Sequence, residues 1–335
     1  MIRKVQVRVL WLVLVFVGGA SAQTGEPNRD PMKARLVTSD IPNFWRVFDK
    51  ASLKDAADLF KREYLDVGSP GLRAFLEGRI QNERALAGTV AARPRYYAAI
   101  RESTLTLDQK PEIKEAIQAS FRRLKEIYPE AIFPDVYFVI GRMNSAGTTD
   151  GGKGLLIGVE MNARSQDTPI DELNHWERAV IGQIANLPHI VAHELIHVEQ
   201  QQANPKRGTS GKTTLLAQAL GEGGADFLGE MISGGIINRV QRAYGEEHQE
   251  ALWAEFSAAM HGTDPSQWLY QGDKAQGRPA DMGYYEGFKI CEAFYRRAGD
   301  KAEAIRRILA ISDPDAILKE GGYGESFASG AEKKP

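Results

Sequence analysis

The stretch that decides the predicted fold of this chain is PHIVAHELIHVE, which runs from Pro188 to Glu199. They contain the pattern H-E-x-x-H, in which His193 and His197 lie four positions apart. Residues four apart share one face of a helix, so both imidazoles can bind one metal ion. Glu194 lies one residue further round, where it can contact a metal-bound water without being a ligand. The apolar residues between these positions, and the proline at the start, predict a mostly buried helix.

The pattern is typical of zinc-dependent hydrolysis. Zinc lowers the pKa of a bound water from 15.7 to about 7, and a nearby carboxylate can accept its proton and pass it to the leaving group. We therefore predict that Glu194 is the catalytic base. The alternative is an ordinary core helix with hydrogen-bonded histidines. Burying two histidines and a glutamate needs compensation, however, and a metal ion supplies it.

A third ligand is needed, because a catalytic zinc usually has three protein ligands and one open position. The segment GEGGAD offers one, since Glu222 and Asp226 are again four residues apart. We predict that Glu222 binds the ion and that Asp226 accepts a hydrogen bond from a ligand imidazole. The small residues between them would let this helix approach the metal helix closely. Three further residues are reserve candidates for the third ligand: His261, His248 and Glu230.

The two segments together resemble the gluzincin group of zinc peptidases. More closely, the chain is similar to a family of zinc-dependent peptidases related to the gliding-motility lipoprotein B domain. The matching stretches are spread over almost the whole chain: TSDIPNFWRVFD from Thr38, VYFVIG from Val136, HELIHVEQQ from His193, GEGGADFL from Gly221, GYYEGFKI from Gly283 and ISDPDAILKEGGYG from Ile311. The resemblance implies a zincin-like core with one zinc ion, the ligands His193, His197 and Glu222, and the base Glu194. It implies no particular substrate.

One catalytic role stays open after this assignment. Hydrolysis of an amide builds negative charge on the carbonyl oxygen, and a tyrosine or histidine commonly helps the metal to stabilise it. Tyr284 and Tyr285 lie in the GYYEGFKI stretch, which resembles a family motif downstream of the ligands. We favour Tyr285 over Tyr284, with His261 as a third candidate. The alternative is that both tyrosines only pack against neighbouring aromatic rings.

The rest of the chain predicts an α+β fold that is mainly helical with a small central β-sheet. Helical patterns dominate from residue 52 to 128 and again after residue 171, whereas residues 136–140 and 155–161 are rich in β-branched and aromatic side chains. A glycine-rich loop joins these two strands, so we expect an antiparallel pair. By analogy with zincins, the second strand would be the edge that pairs with an extended peptide.

The predicted organisation has a helical region at 23–130 packed on a zincin-like catalytic region at 131–330, the two forming one compact unit. Residues 1–22 are interpreted as a signal peptide, because basic residues precede a short apolar run and the cleavage pattern Ala20-Ser21-Ala22. Cleavage between Ala22 and Gln23 predicts a secreted or periplasmic protein with no stable membrane span. The polar segment from Glu199 to Gln202 is expected to be a solvated helix end.

Charge and cysteine content narrow the possible partners. The chain has a net charge of −2, and its first 22 residues contribute three basic and no acidic side chains. The remainder is therefore more acidic, which argues against nucleic-acid binding. Cys291 is the only cysteine, so it forms no disulfide within the chain, and we expect it to be a buried spectator.

We therefore expect an exported zinc metallopeptidase that acts on a peptide or protein substrate. Two alternatives stay open at this stage. The same residues could hydrolyse non-peptide amides or esters, or an exported binding or assembly protein could keep the metal site for structure alone.

Overall fold

The computed structural model describes residues 26–52, 54–151, 154–207 and 213–327. Its α-helices are α1 (Asp40–Lys50), α2 (Ala56–Phe60), α3 (Pro70–Phe75), α4 (Glu83–Ala92), α5 (Pro94–Leu105), α6 (Pro111–Ile127), α7 (His175–Val180), α8 (Leu187–Ala203), α9 (Leu215–Ser233), α10 (Arg239–Ala259), α11 (Gly283–Arg297), α12 (Lys301–Ala310) and α13 (Pro314–Gly321). Its strands are β1 (Leu36–Val37), β2 (Asp135–Val139), β3 (Gly147–Thr149) and β4 (Gly154–Gly158). The predicted mainly helical α+β fold with a small sheet is confirmed.

The four strands form one sheet in the order β1-β2-β4-β3. The expected antiparallel pairing of the two long strands was wrong, because β2 and β4 run parallel. The glycine-rich loop between them is not a simple hairpin connection, since it contains β3, which folds back antiparallel to β4. The second strand also ends at Gly158, where a 3₁₀ turn begins, and not at Met161. The edge beside β4 is therefore β3, and β4 itself is an inner strand.

Helices cover both faces of this sheet. On one face, a Cβ at Gly71 of α3 would lie 2.4 Å from Cβ of Tyr137, so α3 lies directly on β2. On the other face, α8 contacts β3 and β4. Successive side chains of a strand point to opposite faces of the sheet, so the strand register decides which residues face α3 and which face α8. Tyr137 and its partners Leu156 and Thr148 face α3, whereas Gly147 faces α8.

Helix α9 lies between α8 and α11, and glycines allow the close packing on both sides. A Cβ at Gly223 would lie 2.1 Å from the backbone nitrogen of Phe288 in α11. The expectation that Gly223 faces the metal helix was therefore wrong. The close approach to α8 occurs at Gly229, where a Cβ would lie 3.2 Å from the backbone of His193. Helix α9 ends at Ser233, and the next residue, Gly234, has a φ of +76°, which suits a residue without a side chain.

Buried side chains from both predicted regions form one hydrophobic core, and α6 packs on α8 and α9. The boundary near residue 130 stays a prediction. Cys291 is buried and unpaired, as expected. Among the described residues, no helix has the length and apolar character needed to cross a bilayer. The predicted signal peptide lies outside the described residues, and export stays a prediction.

Candidate metal centre

Helices α8 and α9 bring the three predicted ligands together. One donor atom from each of His193, His197 and Glu222 lies within 4.8 Å of the other two. The two Nε2 atoms are 3.1 Å apart, and Glu222 Oε2 lies 3.2 Å from His197 Nε2 and 3.9 Å from His193 Nε2. A tetrahedral zinc with bonds of about 2.0–2.1 Å holds its ligand atoms about 3.4 Å apart. Two imidazoles and one carboxylate at these separations fit such an ion.

Each imidazole has an acceptor behind it. His193 Nδ1 lies 2.8 Å from Asp226 Oδ1, although the two groups are not aligned as a hydrogen bond, so the predicted acceptor role of Asp226 stays a prediction. The other oxygen of Asp226 accepts a hydrogen bond of 2.7 Å from Asn238 Nδ2. His197 Nδ1 lies 3.0 Å from Gln200 Oε1. When the imidazoles are neutral, acceptors beside their Nδ1 atoms favour the tautomer that keeps a proton there and turns each Nε2 lone pair to the shared position.

Gln200 was missed by the sequence analysis. It is 3% exposed, and the preceding Glu199 is 1% exposed, so the expectation of a solvated helix end was wrong for these two residues. Gln200 Nε2 donates to the carbonyl of Gly221, next to the ligand on α9, at 2.8 Å. Its Oε1 also accepts from Arg207 Nη1 at 3.1 Å. Gln200 therefore ties His197 to the helix that carries the third ligand.

The charges within the cluster reinforce one another. Burial opposes ionisation of both His197 and Glu222, but the attraction between them outweighs it. The Glu222 carboxylate raises the pKa of His197 to about 9, and His197 in turn lowers the pKa of Glu222. Glu222 is therefore held as an anion, which is the form that binds a divalent cation.

The predicted base lies beside this cluster, beneath the edge strand. Glu194 is 8% exposed, and a Cβ at Gly147 of β3 would lie 2.6 Å from its Oε1. The absence of a side chain at Gly147 thus makes room for the carboxylate between α8 and β3. This places Glu194 at the boundary between the cluster and the open edge of the sheet.

The two predicted tyrosines have different surroundings. Tyr285, the favoured candidate, is 2% exposed and packs against α10, where a Cβ at Gly245 would lie 2.5 Å from its ring. Tyr285 lines a cavity together with His193 and Asp226, but not with His197 or Glu222. Tyr284 reaches the cluster, with its ring stacked on His193 at 6.2 Å between centroids.

The reserve ligands lie elsewhere. His261 lies 3.6 Å from Asp315, His248 stacks on Tyr244, and Glu230 pairs with Arg242 at 2.9 Å. The described residues offer only one group of three or more potential metal ligands, and none of these candidates belongs to it.

Tyr270 is the second residue that the sequence analysis missed. Its hydroxyl donates a 2.7 Å hydrogen bond to Glu222 Oε1, which leaves Oε2 facing the imidazoles. Tyr270 has a φ of +59°, an unusual conformation for a residue with a side chain, and its side chain is largely exposed. Reciprocal hydrogen bonds between Gln271 and Asp281 hold the neighbouring backbone. Nothing in the local sequence marks this loop tyrosine as a partner of Glu222.

Comparison with known proteins agrees with this geometry. A family model described as "Predicted Zn-dependent protease (DUF2268)" matches residues 180–313. The chain is similar to that family. The matched stretch includes α8 to α11 and therefore contains all three potential ligands, Glu194 and Tyr270. No curated protein and no solved structure matches the chain.

Proposed function

We propose that this protein is an exported zinc-dependent metallopeptidase. The observation that carries the proposal is the convergence of His193, His197 and Glu222 beside Glu194, which lies beneath the edge strand β3. The donor set and its separations fit one zinc ion with a free position. Zinc held there would act as a Lewis acid and lower the pKa of the water that it binds.

Glu194 is the base in this proposal. Its carboxylate accepts the proton of the attacking water and delivers it to the nitrogen that leaves when the peptide bond breaks. It adjoins the cluster without being one of the three donors, and the edge strand covers it. Partial exclusion of water strengthens its interaction with the reacting groups.

The substrate pairs with β3 in this proposal, in place of the inner strand β4 expected from the sequence. The N–H of Gly158 in β4 bonds to the carbonyl of Ala146, and the N–H of Asp150 bonds to that of Gly154. In an antiparallel ladder, the intervening residues Gly147 and Thr149 therefore direct their backbone groups away from β4. The carbonyl of Gly147 accepts a 2.8 Å hydrogen bond from Ser145 Oγ, which a substrate N–H would share or replace. An extended peptide can add to such an edge through main-chain hydrogen bonds.

Tyr270 is the donor that we propose for the developing oxyanion. It is exposed and already lies one hydrogen bond from a ligand, whereas Tyr285 is buried against α10. The hydroxyl has a single proton, so a substrate carbonyl at the open position would take over the hydrogen bond that Glu222 Oε1 accepts in the free protein. Tyr284, stacked behind His193, would support the imidazole.

Two finer parts of the proposal rest on sequence alone. Export rests on the signal-peptide pattern in residues 1–22, and it would place the substrate outside the cytoplasm. The relation to the gliding-motility lipoprotein B family rests on the motifs quoted above, and it stays a prediction.

The decisive experiment measures zinc content and cleavage of a mixed peptide library with the wild type and Glu194→Gln. We expect about one zinc per chain in both, with turnover in the variant reduced by about 10²–10⁴-fold. Glu199→Gln is a matched control on the opposite side of α8, because its oxygen would still accept from the N–H of Ile132.

Other outcomes would replace the proposal. Turnover only of non-peptide amides or esters would favour the broader hydrolase. If neither protein turned over any substrate, while removal of zinc lowered the melting temperature, the metal would be structural.

A further inference from the structure

An arginine lies at the same strand edge as the proposed substrate. Arg79 belongs to a π-helical turn, Leu76–Ile80, that follows α3, and its Nη2 donates a 2.9 Å hydrogen bond to Oγ1 of Thr148 in β3. Its backbone carbonyl accepts hydrogen bonds of 3.0 Å from Arg142 Nε and from Asn144 Nδ2. The segment that leads into β3 thus fixes the backbone of Arg79, while Thr148 holds its guanidinium at the edge.

The pleat of β3 decides which substrate side chains would meet Arg79. Gly147 faces α8 and Glu194, and the next residue, Thr148, faces the opposite side of the sheet. In a peptide added to this edge, side chains alternate between the same two sides. The substrate residue opposite Thr148 would therefore point to Arg79. Its neighbours in the substrate would point to α8 and the catalytic cluster.

Within the described part of the chain, Arg79 forms no salt bridge with an acidic side chain. Among the residues that the structure describes, no carboxylate lies within 4 Å of the guanidinium of Arg79 or Arg142. Two other arginines of the same helical region, Arg95 and Arg101, do form ion pairs with acidic side chains. A guanidinium without an acidic partner, held beside an open strand edge, is suited to bind a carboxylate in two-pronged geometry.

Two residues close to Arg79 have unusual, strained backbone conformations. Gln81, two residues after Arg79, has a φ of +73°, and Met143, between Arg142 and Asn144, has a φ of +58°. Non-glycine residues in this conformation are strained and cluster at ligand-binding positions. Both strained residues adjoin the hydrogen bonds that fix Arg79.

We propose that Arg79 selects peptides with Asp or Glu within one or two residues of the cleaved bond. This inference rests on the proposed peptidase function and on pairing of the substrate with β3. It makes the enzyme selective for acidic segments, although the chain itself is mildly acidic.

The test uses pairs of fluorogenic peptides that differ only in Glu, Gln or Lys, scanned through the positions flanking the bond cleaved in the library experiment. For the wild type, we expect kcat/KM to be about tenfold higher for Glu than for Gln at one position, the size of a charge-assisted hydrogen bond. Arg79→Gln should abolish this ratio, and Arg79→Glu should favour Lys. Arg84→Gln, which removes an exposed arginine of α4, should leave the ratio unchanged.

A binding measurement separates this inference from the catalytic proposal. In zinc-loaded Glu194→Gln, fluorescence anisotropy should show about tenfold tighter binding of the Glu peptide, and adding Arg79→Gln should remove the difference. If Arg79→Gln fails to fold, Arg79→Lys should fold and keep a reduced preference. Cleavage without an acidic preference, or a preference that survives Arg79→Gln, would overturn the inference alone. Absence of any peptide cleavage would overturn the proposed function, and the inference with it.

Discussion

Two glutamates on neighbouring helices, Glu222 and Glu286, are both buried but differ in their partners and in the direction of their pKa shifts. Glu222 on α9 faces two imidazoles, and its other oxygen accepts a hydrogen bond from Tyr270. Glu286 on α11 is 0% exposed, and neither of its oxygens has a hydrogen-bond partner among the described residues. His197 lowers the pKa of Glu222, whereas burial raises the pKa of Glu286 to about 8.

The difference between them lies in their partners more than in their burial. Burial disfavours the ionised form of both carboxylates. At Glu222 the attraction of His197 and His193 exceeds that penalty. At Glu286 the nearest cations, Arg278 and Lys289, pair with other acidic residues and offset the penalty only in part. Of these two buried carboxylates, only Glu222, which faces two imidazoles, is held as an anion that can bind a metal ion.

The largest expected effect comes from replacing each glutamate in turn with glutamine. Glu222→Gln should weaken zinc binding by more than 10–100-fold, which is the typical loss when a residue that hydrogen-bonds to a metal ligand is removed. Glu286→Gln should leave zinc affinity unchanged. Competition with a chromophoric chelator measures both. Equal losses in the two variants would show that general packing, and not the imidazole partners, distinguishes the two sites.

The next effect concerns the hydroxyl that holds Glu222. Tyr270→Phe should lower kcat by about 10²–10³-fold, as for the loss of one oxyanion donor. Zinc affinity should fall by about tenfold, because Glu222 loses an outer hydrogen bond. Tyr285→Phe is the matched control, since its hydroxyl is buried and has no partner among the described residues. Steady-state kinetics of the two variants would assign the role to Tyr285 if the order of their effects were reversed.

The sequence predicted the parts of the site that follow from helix periodicity. His193, Glu194 and His197 lie within one helical turn, and Glu222 with Asp226 repeats the same spacing, so local geometry alone places each set on one face. The same helix periodicity places Gln200 on the face of α8 that carries the two histidines. It is seven residues after His193 and three after His197, but its polar neighbours made the segment look solvated.

The remaining features depend on contacts between distant parts of the chain. Tyr270 is 48 residues from Glu222 and lies in a loop, where no periodicity predicts the direction of a side chain. The parallel pairing of β2 with β4 depends on β3 occupying the connecting loop, and a three-residue strand with two threonines has a weak signal. Tyr284 and Tyr285 are adjacent in the same motif, and only the packing of α11 on α9 and α10 separates them.

The smallest expected effect tests Glu286 itself. Its pKa is about 8 in the folded chain and near its ordinary value of 4.5 in the unfolded chain. The unfolded chain therefore releases this proton first as the pH rises. Wild-type stability is fully present below about pH 4.5 and falls through pH 8, by up to about 1.4 kcal/mol per pH unit. Glutamine stays neutral, so Glu286→Gln should gain up to about 3 kcal/mol on the wild type between pH 5.5 and 7.5.

Urea unfolding of the zinc-loaded proteins at these two pH values measures the gain from Glu286→Gln. Glu292→Gln on the same helix is the control, because Glu292 pairs with Lys289 near the surface and should show no such trend. Parallel stability curves for the wild type and Glu286→Gln would mean that Glu286 keeps its charge through partners of its own. The contrast with Glu222 would then lie in the kind of cation that each carboxylate binds, and burial would no longer separate a metal ligand from a neutral acid.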